Sequence, residues 1–140
     1  MKKFDFLLGD WKLKYTVPKS EFSEAGTSEG EGTFKRALKD KYVFFDYKSG
    51  LKPGPYEAHG IFAKDEKHDI YRYWWFENSG TFLTATCNFV NDTTLFMNWH
   101  DTLLIQTFEL VKKDYVVLKM SQPVDEQDFQ LILKVEFFKK

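Results

Sequence analysis

The side chains able to do chemistry are few and scattered. Three histidines, His59, His68 and His100, fall on separate predicted elements, with no pair at helical i, i+4 spacing. A protein metal site needs ligands converging to about 2–2.2 Å from one ion, so no metal site is expected. His100 and Asp101 are adjacent, but on a continuing strand they point to opposite faces. The single cysteine, Cys87, excludes an internal disulfide and has no basic neighbour in sequence to lower its pKa. A buried, inert thiol is the expectation. No Gly-x-Ser-x-Gly motif is present. The glycine-rich stretch Gly26 to Gly32 (GTSEGEG) is acidic and lacks the Lys-Ser/Thr of a phosphate loop. Glu77 stands apart. It shares strand parity with Tyr73 and Trp75, and a carboxylate against aromatic rings has a raised pKa. With Tyr47 or Tyr73 it could support proton transfer, as in a decarboxylase or hydratase. Alternatively it opens a solvated Glu-Asn-Ser-Gly turn.

The elements that would carry these residues read as strands. Trp11, Leu13, Tyr15 and Val17 alternate with polar residues, the signature of a half-buried strand. A polar loop spans Pro18–Thr27. Further strands are predicted over Ser28–Leu38, Lys41–Tyr47, Tyr56–Ala63, Ile70–Glu77, Thr81–Val90, Thr93–Trp99, Leu103–Val111, Tyr115–Gln122 and Phe129–Phe138. Gly30 and Gly32 inside the second strand suggest a bulge or bend, and Ser49–Pro55 is a turn. About ten strands with turn signals every 8–12 residues favour an antiparallel meander. Phe4, Leu7 and Leu8 allow one short helical turn before it. Closing the meander into an up-and-down barrel removes its two edges, and eight or more strands leave interior room for a ligand.

Composition narrows the field. The 140 residues fit a single domain, 1–140, and 43% hydrophobic content rules out disorder. Twenty basic and 21 acidic residues give a net charge of −1, which lacks the footprint of a nucleic-acid binder or of a polybasic membrane patch. The start, MKKFDFLLGDWK, is too short and interrupted for a signal peptide, and no apolar run approaches the roughly 20 residues of a spanning helix. A cytoplasmic protein is expected.

Charged residues set which parity faces water. By that rule Tyr71, Tyr73 and Trp75 point inward, as do Val43, Phe45 and Tyr47; Leu104, Gln106 and Phe108; Val116, Leu118 and Met120; and Phe129, Leu131, Leu133, Val135 and Phe137. Two strands offer a choice. Their apolar faces are Leu83, Ala85, Cys87 and Phe89 in one and Leu95, Met97 and Trp99 in the other, but a cavity could invert them. The candidate ligand-binding residues are therefore Tyr47, Tyr73, Trp75, Gln106, Phe45, Phe108 and Leu118. Glu77 and His100 are candidate polar groups at the mouth. The same residues could equally fill a dry core. Trp74 and Phe76 face outward and could make a homodimer contact or pack under the terminal segment.

Leu8-Gly9-Asp10-Trp11 carries a Gly-x-Trp opening on the first strand and resembles the start of calycin proteins: lipocalins, fatty-acid-binding proteins and nitrobindin-like barrels. FLLGDWKL, EGEGTFKRALKDKYVFFDY, GPYEAHGIFAKDEKHDIYRYWWFENSG and the closing strands together resemble the bacterial calycin-like family of unknown function numbered 1579. The resemblance implies an all-β, lipocalin-like barrel that binds a small apolar molecule, with Trp11 plugging one end. It brings no catalytic residues and no cofactor. LKDKY stands where a glycine-containing turn would be expected. Phe129–Phe138 contains no histidine, so haem binding of the nitrobindin type is not expected. The Pro18–Thr27 loop is too short for the helical pair of fatty-acid-binding proteins. Their basic carboxylate-binding pair is missing too, the only arginines being Arg36 and Arg72. The reading is a binder of a small hydrophobic or amphipathic molecule inside the barrel. The alternatives are an acid–base enzyme using Glu77 or His100, and a homodimeric scaffold without a ligand.

Overall fold

The computed structural model describes residues 1–19, 25–49 and 56–140; the predicted loop at Pro18–Thr27 and turn at Ser49–Pro55 lie partly outside them. Ten strands form one closed antiparallel barrel: β1 (Gly9–Val17), β2 (Gly26–Ala37), β3 (Tyr42–Ser49), β4 (Tyr56–Asp65), β5 (Ile70–Glu77), β6 (Phe82–Asn91), β7 (Thr94–Trp99), β8 (Ile105–Lys112), β9 (Tyr115–Pro123) and β10 (Phe129–Lys139). Each strand pairs with its sequence neighbours, and β1 pairs with β10 from Trp11↔Lys139 to Thr16↔Lys134, which closes the ring. Full closure leaves no unpaired strand edge.

The two ends differ. Short turns at 38–41, 66–69, 92–93 and 113–114 lie at one end, and the longer connections lie at the other. At the short-turn end, Leu38, Lys39, Asp40, Asp69 and Asp114 take φ of 52–61°. The glycine missing from LKDKY is thus replaced by three residues with side chains in a left-handed conformation. That is ordinary for Asp but unfavourable for Leu and Lys. A 3-10 turn, Lys2–Leu7, caps this end from inside. Phe4 and Leu7 are fully buried. The Phe4 ring meets Phe62, Tyr71 and Phe89 at 4.8–5.1 Å. Trp11 Nε1 donates to the Leu7 carbonyl at 2.7 Å, and Asp5 pairs with Arg36 on β2. Trp11 therefore anchors the plug, while Phe4 is the group that fills the barrel end. The chain enters β1 through Gly9, whose φ of 120° suits glycine and whose missing side chain admits Lys139.

The parity rule holds on β3, β5, β8 and β9, and both ambiguous strands, β6 and β7, turn their apolar faces inward. Ala85, Cys87, Leu95 and Met97 are buried. The rule fails on β10. A bulge at Ile132 leaves Leu133 opposite Met120 but Leu131 opposite Ser121. The alternation reverses there, so Phe129 is 54% exposed rather than inside. Gly30 and Gly32 also correct the expectation. Register on both sides of β2 runs through them without a bulge. A Cβ at Gly32 would sit 2.5 Å from the Phe45 ring, and one at Gly30 would sit 2.9 Å from Tyr47. They are gaps into which aromatic rings of β3 lean.

Candidate functional site

Alternation aims one face of every strand at the axis, but the interior is not uniform. Towards the plug it is solid. Phe34 stacks on Phe45 at 4.0 Å with ring planes 4° apart, and Phe62 packs on Tyr73 at 4.2 Å. Towards the other end the rings stop meeting across the axis, leaving a cavity of about 490 Å³. Its floor is Phe45, Phe108 and Phe137, and its walls include Leu13, Trp99, Leu118, Met120 and Val135. The rim is built from the strand ends that carry the longer connections: Tyr15, Ser28, Tyr56, Glu77, Thr102 and Leu104. The barrel is therefore filled at one end and hollow at the other.

Most polar groups of the cavity are committed to one another. Deep in the wall, Gln106 is 4% exposed. Its Oε1 accepts from Trp99 Nε1 at 3.2 Å, and its Nε2 faces Met97 Sδ at 3.6 Å. At the rim, Glu77 Oε2 accepts from the Tyr56 hydroxyl and from Trp75 Nε1, the latter at 3.1 Å. The Tyr47 ring lies 5.6 Å from Tyr56, 5.7 Å from Tyr15 and 6.4 Å from Trp75. The Tyr47 hydroxyl is buried. It sits near the hydroxyls of Tyr15 and Ser49, but no partner meets it in hydrogen-bonding geometry among the described residues.

Burial dominates the titration of these phenols. It pushes Tyr73 far above the ordinary phenol value. It also raises Tyr47, and it raises Tyr15, where the Tyr47 neighbour adds to the effect. Tyr56 is raised by burial first and then by its bond to Glu77, because an ionised phenol could no longer donate to that carboxylate. Cys87 is buried, donates weakly to the Tyr71 carbonyl at 3.7 Å, and is pushed up to about 12 by burial.

All seven candidate ligand-binding residues, Phe45, Tyr47, Tyr73, Trp75, Gln106, Phe108 and Leu118, line this cavity, and so does Glu77. His100 does not. It is exposed, its backbone N–H bonds the Thr84 carbonyl, and its Nδ1 lies 3.0 Å from Thr84 Oγ1 on the outer wall. β7 ends at Trp99, which points inward, so the next residue turns out. The other histidines are also outside: His59 pairs with Asp46 at 2.6 Å, and His68 with Asp65 at 3.0 Å. Among the described residues no three His, Cys, Asp or Glu side chains gather as metal ligands, and no helix is long and apolar enough to cross a membrane. Phe76 and Phe82 leave an aromatic pair on the outer wall, 43% and 68% exposed with rings 6.5 Å apart.

Four lining aromatics lie outside the candidate set: Tyr15, Tyr56, Trp99 and Phe137. Tyr56 had a signal, since it shares parity with Ala58, Gly60 and Phe62 along β4. Gly60 is the most crowded glycine among the described residues, a Cβ there falling 2.0 Å from the Tyr73 hydroxyl.

No family model matches the chain, and no curated protein matches it in sequence. The crystal structure of Rv2717c from M. tuberculosis is similar in fold, with a TM-score of 0.66 over 99% of this chain and 96% of that one, at 13% identity. A de novo designed fluorescence-activating β-barrel aligns with a TM-score of 0.48 over 100% and 99% of the two chains, also at 13% identity. The likeness to Rv2717c is one of architecture: it supports the ten-strand barrel and leaves the resemblance to the numbered family without further support.

Proposed function

We propose that this chain holds one small apolar or amphipathic molecule inside the barrel. A single observation carries the reading: a cavity of about 490 Å³, within the roughly 300–1,000 Å³ of small-molecule pockets, sealed by a plug at one end. The other half of the same barrel is packed solid by Phe34, Phe62 and their neighbours, so the hollow half is not a general feature of this interior. Binding would draw on removal of apolar surface from water, at roughly 25 cal/mol per Å². Trp75 and Trp99 supply flat walls. Gln106 is held by Trp99 and Met97 deep in the pocket, and the polar end of a ligand would meet Tyr56 and Glu77 at the rim. Acid–base chemistry through His100 is not favoured, because His100 lies on the outer wall; of the enzyme alternative, Glu77 beside Tyr47 or Tyr73 is the part that shares the cavity.

The test is native mass spectrometry of gently purified protein beside a denatured control. A stoichiometric extra mass that leaves on denaturation supports carriage. A second measurement follows tryptophan fluorescence over a panel of long-chain and aromatic compounds, with Trp75→Ala as the control. A clean apo mass together with no saturable response across the panel overturns the reading.

A further inference from the structure

We propose that the cavity selects an organic cation, an ammonium group carried on an apolar body, with Glu77 as its counter-ion. This rests on the pocket reading above and names its ligand class. Among the described residues lining the cavity, Glu77 is the only charged one; no Lys, Arg or His is present. A ligand carboxylate or phosphate would meet no cation among the described lining residues and would lie against a like charge at the half-buried rim, which is unfavourable. A protonated amine has the opposite fortune. The bonds from Tyr56 and Trp75 both fall on Oε2 of Glu77, and among the described residues none is made to Oε1. The carboxylate is thereby oriented, and no described residue donates to its second oxygen.

Aromatic rings complete the environment. Trp75 and Tyr56 both bond Glu77, and the Tyr47 ring lies 5.6 Å from Tyr56 and 6.4 Å from Trp75. Ring faces carry partial negative charge and attract cations, most strongly those of Trp and Tyr. A carboxylate held among such rings therefore suits an alkylammonium, which needs compensation of charge without full hydration. The whole chain contributes little to this choice, since its net charge of −1 gives almost no general field favouring cations. The preference arises at the rim.

The experiment compares three probes with one tail and different heads: octylamine, octanol and octanoate, measured by calorimetry on the full chain near pH 7. An alkylamine is protonated there, as a lysine is. Octylamine is expected to bind at least about tenfold tighter than octanol, with octanoate weakest. Glu77→Gln keeps the shape and removes the charge. It is expected to abolish the octylamine preference, so that octylamine and octanol bind the variant within about threefold of each other, and a cooperative urea unfolding transition shows that the variant is folded. Octanol or octanoate binding as tightly as octylamine overturns the cation inference and leaves the pocket reading standing. So does an octylamine preference that survives Glu77→Gln. If none of the three binds, the pocket reading itself fails and takes this inference with it. Should Glu77→Gln not fold, the ranking of the three probes on the unmodified chain decides.

Discussion

Replacing Tyr47 by Phe should stabilise the ligand-free protein, against the usual trend for substitutions in a core. The Tyr47 side chain is 4% exposed, and among the described residues its hydroxyl has no properly oriented partner to replace the water it has lost. An unpaired buried hydroxyl costs about 1–3 kcal/mol. Deleting it keeps the ring and its neighbours Tyr15, Phe45, Tyr56 and Trp75. The nearby Tyr15 and Ser49 hydroxyls offset part of that cost, so the low end applies: a gain of about 1 kcal/mol, or roughly 3–5 °C in melting temperature for a domain of this size. Tyr115→Phe is the matching control. There the hydroxyl donates to Glu136 Oε2 at 2.6 Å, a bond that pushes its pKa up to about 12. Removing it should cost up to about 1 kcal/mol. Urea unfolding followed by tryptophan fluorescence at neutral pH gives both midpoints, and unchanged slopes show that stability alone moved. If Tyr47→Phe lowers the midpoint as Tyr115→Phe does, the Tyr47 hydroxyl is bonded in solution and the reasoning fails.

Phe4→Ala removes the ring that fills the plugged end, where Phe4 is fully buried, and should cost about 3 kcal/mol; an unchanged thermal midpoint would mean that the N-terminal turn does not hold the barrel shut. Gly60→Ala drives a Cβ to 2.0 Å from the Tyr73 hydroxyl, whereas Gly26→Ala meets nothing within 4 Å. Urea melts should show a loss of about 1–3 kcal/mol for the first and within about 0.5 kcal/mol for the second, and equal losses would count against the ring-in-gap packing. Cys87, its thiol pushed up to about 12 by burial, should resist alkylation at pH 8 in the folded protein and label quickly in urea; fast labelling of the folded form would refute its burial. Tyr15, Tyr47, Tyr56, Tyr73 and Tyr115 all have raised values in the folded state. Above the ordinary phenol value of about 10 the unfolded chain loses protons that the folded chain keeps, so stability is full below that pH and falls as pH rises beyond it. Urea midpoints that stay level from pH 8 to 11 would contradict this.

Strand number, order and the inward faces of β3, β5, β8 and β9 could be read from the chain, because period-two alternation and short turn signals are local properties of an antiparallel meander. The inward placement of Tyr47, Tyr73, Trp75 and Gln106 followed from that parity. Where alternation is interrupted the reading failed. The bulge at Ile132 reverses β10 and exposes Phe129; His100, by contrast, lies on the outer wall because alternation continues past the inward Trp99. The bulge depends on pairing with β9, which no single segment encodes.

The sequence by itself determined an all-β chain of about ten strands with an aromatic inner face, since hydrophobic periodicity and turn residues act over a few positions. Only the tertiary structure decided that one half of that interior is solid and the other hollow. Gly30, Gly32 and Gly60 accept rings from the adjacent strands, and the plug brings Phe4 against Phe62, Tyr71 and Phe89. The pairing of β4 with β5, which sets Ala58 opposite Glu77, brings the hydroxyl of Tyr56 and the indole of Trp75 onto one oxygen of Glu77. Volume and convergence are properties of strands packed together around an axis, and they arise when side chains far apart in sequence compete for the same space.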